Sequence, residues 1–137
     1  MTSFESSVKT IPASVEQVFR KLSDFSNLER LRDKIPEDKV KKFSCDTNNC
    51  SFSINGIGNI AIRIVEKEPN KTIKLETVES PIPFYLWVQL LPTPDGNAAM
   101  KITLRAELNP FIKGMISPQL QEGVNKLAEV ISFMSFD

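Results

Sequence analysis

The sequence has no histidine at all, and it has only two cysteines, one tryptophan and one tyrosine among its 137 residues. Without histidine, neither Ser-His-Asp nor Cys-His catalysis is available, and no metal can be held by imidazole ligands. Two cysteines alone do not make a zinc site. We therefore expect no metal, no cofactor and no catalytic residue of these types.

A surplus of one charge and a long apolar run are also missing. Lysine plus arginine equals aspartate plus glutamate, 17 each, so the charge balance favours neither nucleic acid nor an anionic membrane as a partner. The opening segment "MTSFESSVKT" has no basic region followed by an apolar run, and no later stretch is long enough to span a bilayer. We expect no nucleic-acid partner, no membrane insertion and a cytoplasmic location.

The two cysteines flank a probable turn, "DTNN", and so they can face each other across a hairpin. A disulfide between Cys45 and Cys50 is therefore sterically possible. In a cytoplasmic protein, two reduced thiols are the favoured interpretation, because disulfides are rare in reducing compartments.

The length and the composition, 41% apolar and 25% charged, predict a single globular domain over residues 1–137. Residues 3–11 alternate with Phe4, Ser6 and Val8 on one face, which predicts a strand that ends at Pro12. Ser14 and Gln17 then form the pattern of a capping box, so "SVEQVFRKL" is a predicted helix. A second short helix is expected from about Asp24 to Leu31.

Residues 39–108 predict six consecutive strands joined by short hairpins. Ile60, Ile62 and Ile64, for example, lie on one face with Arg63 and Lys67 on the other, and Asn55-Gly56 suits a tight turn. Such alternation indicates an antiparallel sheet with one covered and one solvated face. The predicted fold class is therefore α+β, a curved antiparallel sheet of strand, two short helices and six-strand meander, wrapped around a long C-terminal α-helix.

The last segment, "NPFIKGMISPQLQEGVNKLAEVISFM" at 109–134, carries prolines and glycines within a helical pattern. Asn109-Pro110 and Ser117-Pro118 each resemble a cap followed by a first-position proline. We therefore predict a short turn over 110–114, a break, and a long helix from 118 to about 134. Its apolar stripe should cover the sheet: Ile112, Ile116, Leu120, Val124, Leu127, Ile131 and Met134.

Two predictions about function depend on which face of the sheet a group of side chains occupies. The strand "FYLWVQLLP" is apolar on both parities, so either the face of Tyr85 and Trp87 points inward and gives a pocket polar tips, or it points outward as a dimer patch.

Glu66 and Glu79 share the inward parity near strand ends, where we expect them to be solvated. A buried carboxylate, or Arg63 reaching inward, would favour catalysis.

The order of these elements, with "FESSVKTIPASVEQVFRKLSDFSNLERL" at the front, resembles the START-related SRPBCC superfamily, also called helix-grip or polyketide cyclase-like. In that family a proline turn precedes a helix of the form x-x-V-F/W-x-x-L-x-D, and here those positions are Pro12, Val18, Phe19, Leu22 and Asp24. The segments "ESPIPFYLWVQLLP" and "LRAELNPFIKGMISPQLQEGVNKLAEVI" are similar to a Bacteroidetes-type branch. The resemblance covers essentially the whole chain.

This resemblance implies an incomplete barrel around the last helix, with an apolar cavity between them. Members of the superfamily bind lipids, sterols, polyketides or hormones, some cyclise or dehydrate polyketides, and others activate chaperones. Carried over by position, the expected ligand-binding residues lie on the inner face of the sheet, on the helix and near the entrance: Phe25, Phe52, Ile54, Ile62, Ile64, Leu75, Thr77, Met100, Ile102, Met115, Ile116 and Leu120.

Three functions follow as hypotheses, because one fold hosts many activities. The first is binding of a small hydrophobic or amphipathic molecule, lipid- or polyketide-like, in that cavity. The second is an enzyme of the cyclase or dehydratase type that acts on such a ligand. The third is a protein-interaction module, such as a homodimer, that uses the face of Tyr85 and Trp87.

Overall fold

The computed structural model describes residues 2–34, 40–54, 58–134 and 136. Eight strands, two α-helices and a 3-10 helix follow one another in the predicted order. Their bounds are β1 Thr2–Glu5, β2 Lys9–Ile11, α1 Val15–Leu22, the 3-10 helix Phe25–Lys34, β3 Val40–Cys45, β4 Asn49–Ile54, β5 Gly58–Glu68, β6 Thr72–Glu79, β7 Phe84–Pro92, β8 Ala98–Ala106 and α2 Pro110–Ser132.

The strands form one antiparallel sheet in the order β1-β8-β7-β6-β5-β4-β3, and β2 also pairs with β8. The meander from β3 to β8 is therefore confirmed. Asn70 (φ 64°) lies in the predicted turn after β5, and Gly96 (φ 83°) lies in the predicted turn "TPDGN". The predicted turn at Asn55-Gly56 lies outside the described residues.

The predicted first strand is two strands with a break between them. The Ser6 backbone N–H donates to the Ile102 carbonyl at 2.8 Å, and the Ser6 Oγ accepts from the Ile102 N–H at 2.9 Å. Because the side-chain oxygen of Ser6 replaces a backbone carbonyl in the hydrogen-bond ladder with β8, the alternation of inward and outward side chains shifts after Ser6. Val8 is consequently 62% exposed, and the prediction that it shares a face with Phe4 and Ser6 is wrong.

Helix α1 begins with the predicted capping box. The Ser14 N–H donates to Gln17 Oε1 at 2.9 Å, and the Gln17 N–H donates to Ser14 Oγ at 3.2 Å. These reciprocal bonds satisfy backbone donors that a helix start leaves unpaired. The apolar side of the helix is buried, as its spacing predicts, and consists of Val15, Val18, Phe19 and Leu22.

The core lies between one end of the sheet and the helices. Helix α2 packs against β8, β1 and β2, and α1 packs against β7 and β8. The inward side chains of β7 and β8 are buried as a block: Leu86, Val88, Leu90, Met100, Ile102 and Leu104. From α2 the core receives Val124, Ala128 and Ile131.

Helix α2 is continuous, so the predicted break before Pro118 is wrong. The start is as predicted: Pro110 takes the first position, and the Asn109 Oδ1 accepts from the Phe111 N–H at 2.8 Å. Ser117 does not begin a new helix, because its Oγ donates back to the Lys113 carbonyl at 2.5 Å. Pro118 has no N–H for the Gly114 carbonyl, but Gly114 is exposed and water can supply that bond.

At the other side of the sheet, β3 is the edge among the described strands. Its register with β4 shifts between Lys41 and Ser44, and Lys42 lies within this shift with a φ of 57°. The shift is a bulge, because fewer residues of β4 than of β3 occupy the same interval.

Candidate ligand-binding site

The burial of the inner face is complete on β8 and uneven on β4 to β6. Met100 and Ile102 on β8 are 0% exposed, whereas Ile62 and Ile64 on β5 are only half-buried. Helix α2 packs on the β8 side of the sheet, and this explains the difference. Cys50, Ile60, Ile73 and Leu75 are buried on β4 to β6. Most of the other inward residues of these strands are half-buried and form a surface that the described helices do not fully cover.

We call this surface the inner row. It comprises ten inward-facing residues of β4, β5, β6 and the start of β7: Cys50, Phe52, Ile54, Ile60, Ile62, Ile64, Leu75, Thr77, Phe84 and Leu86. Ile73 and Lys67, which pair with each other farther along the same face, are not included. The register defines it, since Cys50 pairs with Ile62, and Ile62 with Thr77. A second line runs across the same face from Ile64 to Leu75 and Leu86.

The structure brings together five of the expected binding residues as half-buried members of the inner row: Phe52, Ile54, Ile62, Ile64 and Thr77. Four others lie in the packed core, with exposures of 5% or less: Phe25, Leu75, Met100 and Ile102. Ile116 and Leu120 are half-buried on α2. A role in binding stays a prediction for each of these residues.

Met115 occupies a different position. It is 77% exposed, and it is separated from the buried Val124 by about two and a half helical turns, so the two side chains project from opposite sides of α2. The predicted apolar stripe of α2 is also only partly buried, because Ile112 and Leu127 are exposed. Ala128 is buried instead, although it was not part of the predicted stripe.

The N-terminal half of α2, residues 110–121, exposes more apolar surface than a helix on a sheet normally does. Phe111 is 88% exposed, Met115 77% and Ile112 38%. They occupy the outer side and one flank of the helix, next to the half-buried Ile116. This half of α2 follows directly from the end of β8, where Ala106 pairs with Phe84 of the inner row.

Sequence reasoning missed several partly buried residues that pack against the core: Leu28, Phe43, Ile82, Phe84 and Leu108. Phe84 could have been found, because it alternates with Leu86 and Val88. Phe43 could not, because the bulge at Lys42 changes the parity of its strand.

Cys45 and Cys50 form a disulfide across the β3–β4 hairpin, with their Cα atoms 4.1 Å apart. The favoured interpretation of two free thiols is therefore wrong in this structure. The hairpin turn is also bonded to the 3-10 helix: the Phe25 N–H donates to the Thr47 carbonyl at 2.8 Å, and the Cys45 N–H donates to the Glu29 carboxylate. The disulfide thus lies where the sheet edge and the 3-10 helix meet.

The acidic residues considered for catalysis lie on the outer face. Glu66 pairs with Lys74 and Glu79 with Ala61, because register shifts between Ile64 and Glu66 and between Ala61 and Ile62 change their parity. The prediction that they share the inward parity is wrong. Arg63 also points outward, where its guanidinium contacts the Glu76 carboxylate at 2.5 Å.

Tyr85 and Trp87 lie on the outer face, since Leu86, Val88 and Leu90 are the buried residues of β7. Their ring centroids are 6.0 Å apart, and the Lys74 Nζ lies 5.0 Å from the tyrosine ring and 5.4 Å from the tryptophan ring. The lysine therefore already occupies the faces of these rings. The open choice of faces is resolved in favour of the outward placement.

The described carboxyl groups with displaced pKa values lie at turns. The pKa of Asp46 is below its ordinary value because its carboxylate accepts hydrogen bonds from the Asn49 side chain and the Asn48 N–H. Hydrogen bonds from Ser26 and from Thr93 lower the pKa of Asp24 and Asp95 in the same way. The hydrogen bonds that cause these pKa shifts stabilise the turns in which they form. None of the three aspartates belongs to the inner row.

A shallow depression of about 210 Å³ lies at the β3–β5 side of the sheet, lined by the disulfide and by Ser44, Ser51, Ala61, Ile62 and Val78. Of the expected binding residues it includes only Ile62. Two members of the inner row, Cys50 and Ile62, line the depression, so it overlaps the β4–β5 edge of that surface.

Solved structures with the same fold cover almost the whole chain. Norcoclaurine synthase from Thalictrum flavum superposes with a TM-score of 0.74 at 14% identity, over 96% of this chain and 84% of that one. A START superfamily protein from Mycobacterium smegmatis gives 0.63 at 12% identity, over 95% and 94%. A conserved protein from Geobacillus kaustophilus gives 0.64 at 19% identity, over 96% and 90%. No curated protein matches the sequence.

The eight-stranded sheet and its long C-terminal helix have the helix-grip fold of these neighbours. Residues 1–132 match the family described as polyketide cyclase / dehydrase and lipid transport, so the chain belongs to this family and, with it, to the START/SRPBCC superfamily. Within residues 2–34, 40–54, 58–134 and 136, no helix combines the length and the apolarity that crossing a bilayer requires.

Proposed function

We propose that this protein binds a small hydrophobic or amphipathic molecule between the inner row and the N-terminal half of α2. The observation that carries the proposal is the incomplete burial of an apolar surface: Phe52, Ile54, Ile62 and Ile64 face the inside of the fold but are only half-buried. Membership of a family described by cyclisation, dehydration and lipid transport supports a ligand of this class.

The exposed residues of α2 support the same proposal. Ordinary packing would place Ile112 and Ile116 against the sheet, yet the buried contacts of α2 come from Val124, Ala128 and Ile131 in its other half. An apolar ligand on the inner row would give the N-terminal half of α2 a surface to pack on, because burial of apolar area is the main gain in such sites.

A titration with N-phenyl-1-naphthylamine, whose fluorescence rises in apolar surroundings, tests the proposal together with native mass spectrometry of the freshly purified protein. We expect saturable binding of the probe, and a co-purified small molecule that organic extraction releases. Ile62→Gln should weaken probe binding, because it places an amide on the inner row. Val65→Gln is the matched control on the same strand, since Val65 is 42% exposed.

Absence of saturable binding together with a mass equal to that of the bare chain would contradict the proposal. Equal weakening by Ile62→Gln and Val65→Gln would show that the probe binds elsewhere.

We propose binding rather than cyclase or dehydratase chemistry as the function of this surface. An acid or base in an apolar site needs a carboxylate or amine within reach of the ligand. Arg63, Glu66 and Glu79 all point to the outer face, and Lys67, which lies opposite Ile73 on the inner face, is exposed near the end of β5. An activity screen with aromatic polyketide substrates would overturn this choice if turnover were observed and Ile62→Gln reduced it.

The cytoplasm remains our proposed location, and the Cys45–Cys50 disulfide is the observation against it, because such bonds persist in oxidising compartments. A homodimer through Tyr85 and Trp87 likewise remains a proposal. Light scattering at several concentrations, with Trp87→Ala for comparison, tests it, and a mass that stays monomeric for both proteins would exclude it.

A further inference from the structure

Thr77 is the only member of the inner row with a hydroxyl, amide or charged side chain. It lies on β6 opposite Ile62, and both residues are half-buried. A valine of the same shape would suit an apolar surface better, because an unpaired hydroxyl is costly to bury. The question at this position is therefore which group donates to the Thr77 hydroxyl oxygen and which group accepts its proton.

The oxygen of Thr77 is already used. The Phe84 backbone N–H donates to Thr77 Oγ1 at 3.3 Å. The register of β6 and β7 runs only to the pair Glu76 and Tyr85, so this side-chain bond takes over at the next position, where the backbone ladder has ended. A lone pair of Oγ1 is thereby directed toward β7.

The proton of the Thr77 hydroxyl has no acceptor among the described residues. A hydroxyl has one donor and two acceptor lone pairs, and in the hydrogen bond from the Phe84 N–H the Thr77 oxygen acts as an acceptor. All other members of the inner row have apolar or disulfide-bonded side chains. The Thr77 hydroxyl is thus the only side-chain donor of the inner row.

A bulge holds Thr77 in this place. Ile62 pairs with Thr77 while the preceding Ala61 pairs with Glu79, so Val78 is the extra residue and is 60% exposed. Bulges direct particular side chains and are frequent beside functional sites. Here the bulge keeps Thr77 on the inner face and sends Glu79 to the outer one.

From this arrangement we infer that Thr77 donates a hydrogen bond to an uncharged oxygen acceptor of the ligand, such as a ketone, ester or aldehyde carbonyl. The inference rests on the proposed function, and it narrows the ligand class. The inner row contains no charged side chain, and Lys67, which lies opposite Ile73 on the same face, is exposed near the end of β5. Burial of an unpaired charge is costly. A neutral apolar molecule with a carbonyl fits this surface, whereas an anionic carboxylate does not.

Two naphthalene probes separate this inference from the proposed function. N-phenyl-1-naphthylamine has no oxygen, whereas 6-propionyl-2-dimethylaminonaphthalene has a ketone whose emission moves to longer wavelength when its carbonyl accepts a hydrogen bond. The two are titrated into the native protein, Thr77→Val and Thr77→Ser. Thr103→Val is the matched control, because the Thr103 hydroxyl lies on the outer face and donates to Gln89 Oε1 at 3.1 Å.

We expect Thr77→Val to bind the ketone about 3- to 10-fold more weakly, the range that loss of one hydrogen bond produces, and with emission at shorter wavelength. Its affinity for the oxygen-free probe should be unchanged. Thr77→Ser should retain native behaviour because it keeps the hydroxyl, and Thr103→Val should bind both probes as the native protein does.

Native-like ketone affinity and emission in Thr77→Val would overturn the inference and leave the proposed function intact. Binding of neither probe by the native protein would refute the proposed function, and the inference with it. Should Thr77→Val fail to fold, the infrared carbonyl frequency of the ketone bound to the native protein decides: a value equal to that in hexane would show that no hydrogen bond forms.

Discussion

Truncation of two isoleucines on the same face of the sheet should have very different effects on stability. Ile102 on β8 is 0% exposed, and Ile62 on β5 is half-buried. Truncation of a fully enclosed isoleucine to alanine removes its transfer free energy and leaves a cavity, which together cost about 4 kcal/mol. At Ile62 the carbon atoms that the truncation removes are already partly exposed to water, so their removal leaves no closed cavity.

The expected loss at Ile62 follows from the area that it actually buries. Ile→Ala removes three carbons at about 0.8 kcal/mol each when burial is complete, so half burial gives about 1 kcal/mol. The difference between the two variants is then about 3 kcal/mol. With a urea dependence of about 1.5 to 2 kcal/mol per molar, the two unfolding midpoints should differ by about 1.5 to 2 M.

Urea unfolding followed by circular dichroism measures both losses in the absence of ligand. Ile73→Ala, at 1% exposure on β6, serves as a second enclosed position, and Ile64→Ala as a second half-buried one. Equal losses for Ile62→Ala and Ile102→Ala would mean that the inner row is packed core in solution, and the reasoning that places a ligand there would be refuted.

Three further perturbations test separate features. Pro118→Ala should raise the free energy of unfolding by about 1 to 3 kcal/mol in thermal or urea unfolding, because it restores a helical N–H; a decrease would show that the proline is needed where it is. The hydrogen bond from Asn49 lowers the pKa of Asp46, so the ionised carboxylate stabilises the fold at a pH above its ordinary pKa of 3.8, and this contribution is lost as the pH falls through the lower pKa of the folded state. Asp46→Asn should therefore make the stability less dependent on pH in the acid range. An unchanged pH dependence would contradict the assignment. Alkylation with iodoacetamide in denaturant without reductant should leave the mass unchanged if Cys45 and Cys50 are joined; two adducts would show free thiols.

The order of elements was predictable because it depends on local signals. The capping box at Ser14 and Gln17, the proline at position 110 after Asn109, and the alternation of Met100, Ile102 and Leu104 each report a nearest-neighbour requirement of helix or strand. The structure confirms all of these.

The errors in strand parity have a common cause, which is irregularity within an element. The displaced alternation at Val8 and the outward turn of Glu66 and Glu79 follow from a strand break and from bulges. Period-two reasoning has no means of locating an extra residue in a strand. At Pro118 the local rule was sound, but solvent access at the exposed Gly114 makes an internal proline tolerable.

The binding surface was predictable only in part, because burial at β5 depends on where α2 rests. The sequence pattern of Ile62 and Ile64 is the same whether a helix covers them or not. Only the placement of α2 on β8, β1 and β2 separates half-buried Ile62 from the enclosed Ile102.

The bulge in β3 has a consequence for how copies of this chain can meet. Lys42, with its left-handed backbone, interrupts the regular row of amide and carbonyl groups that the outermost strand would otherwise present. A neighbouring molecule therefore cannot continue the ladder along this border, and the exposed ammonium groups of Lys41 and Lys42 add mutual repulsion to that mismatch. Fibrillar stacking through this border is disfavoured even in crowded conditions, so any self-association should use faces of the molecule instead.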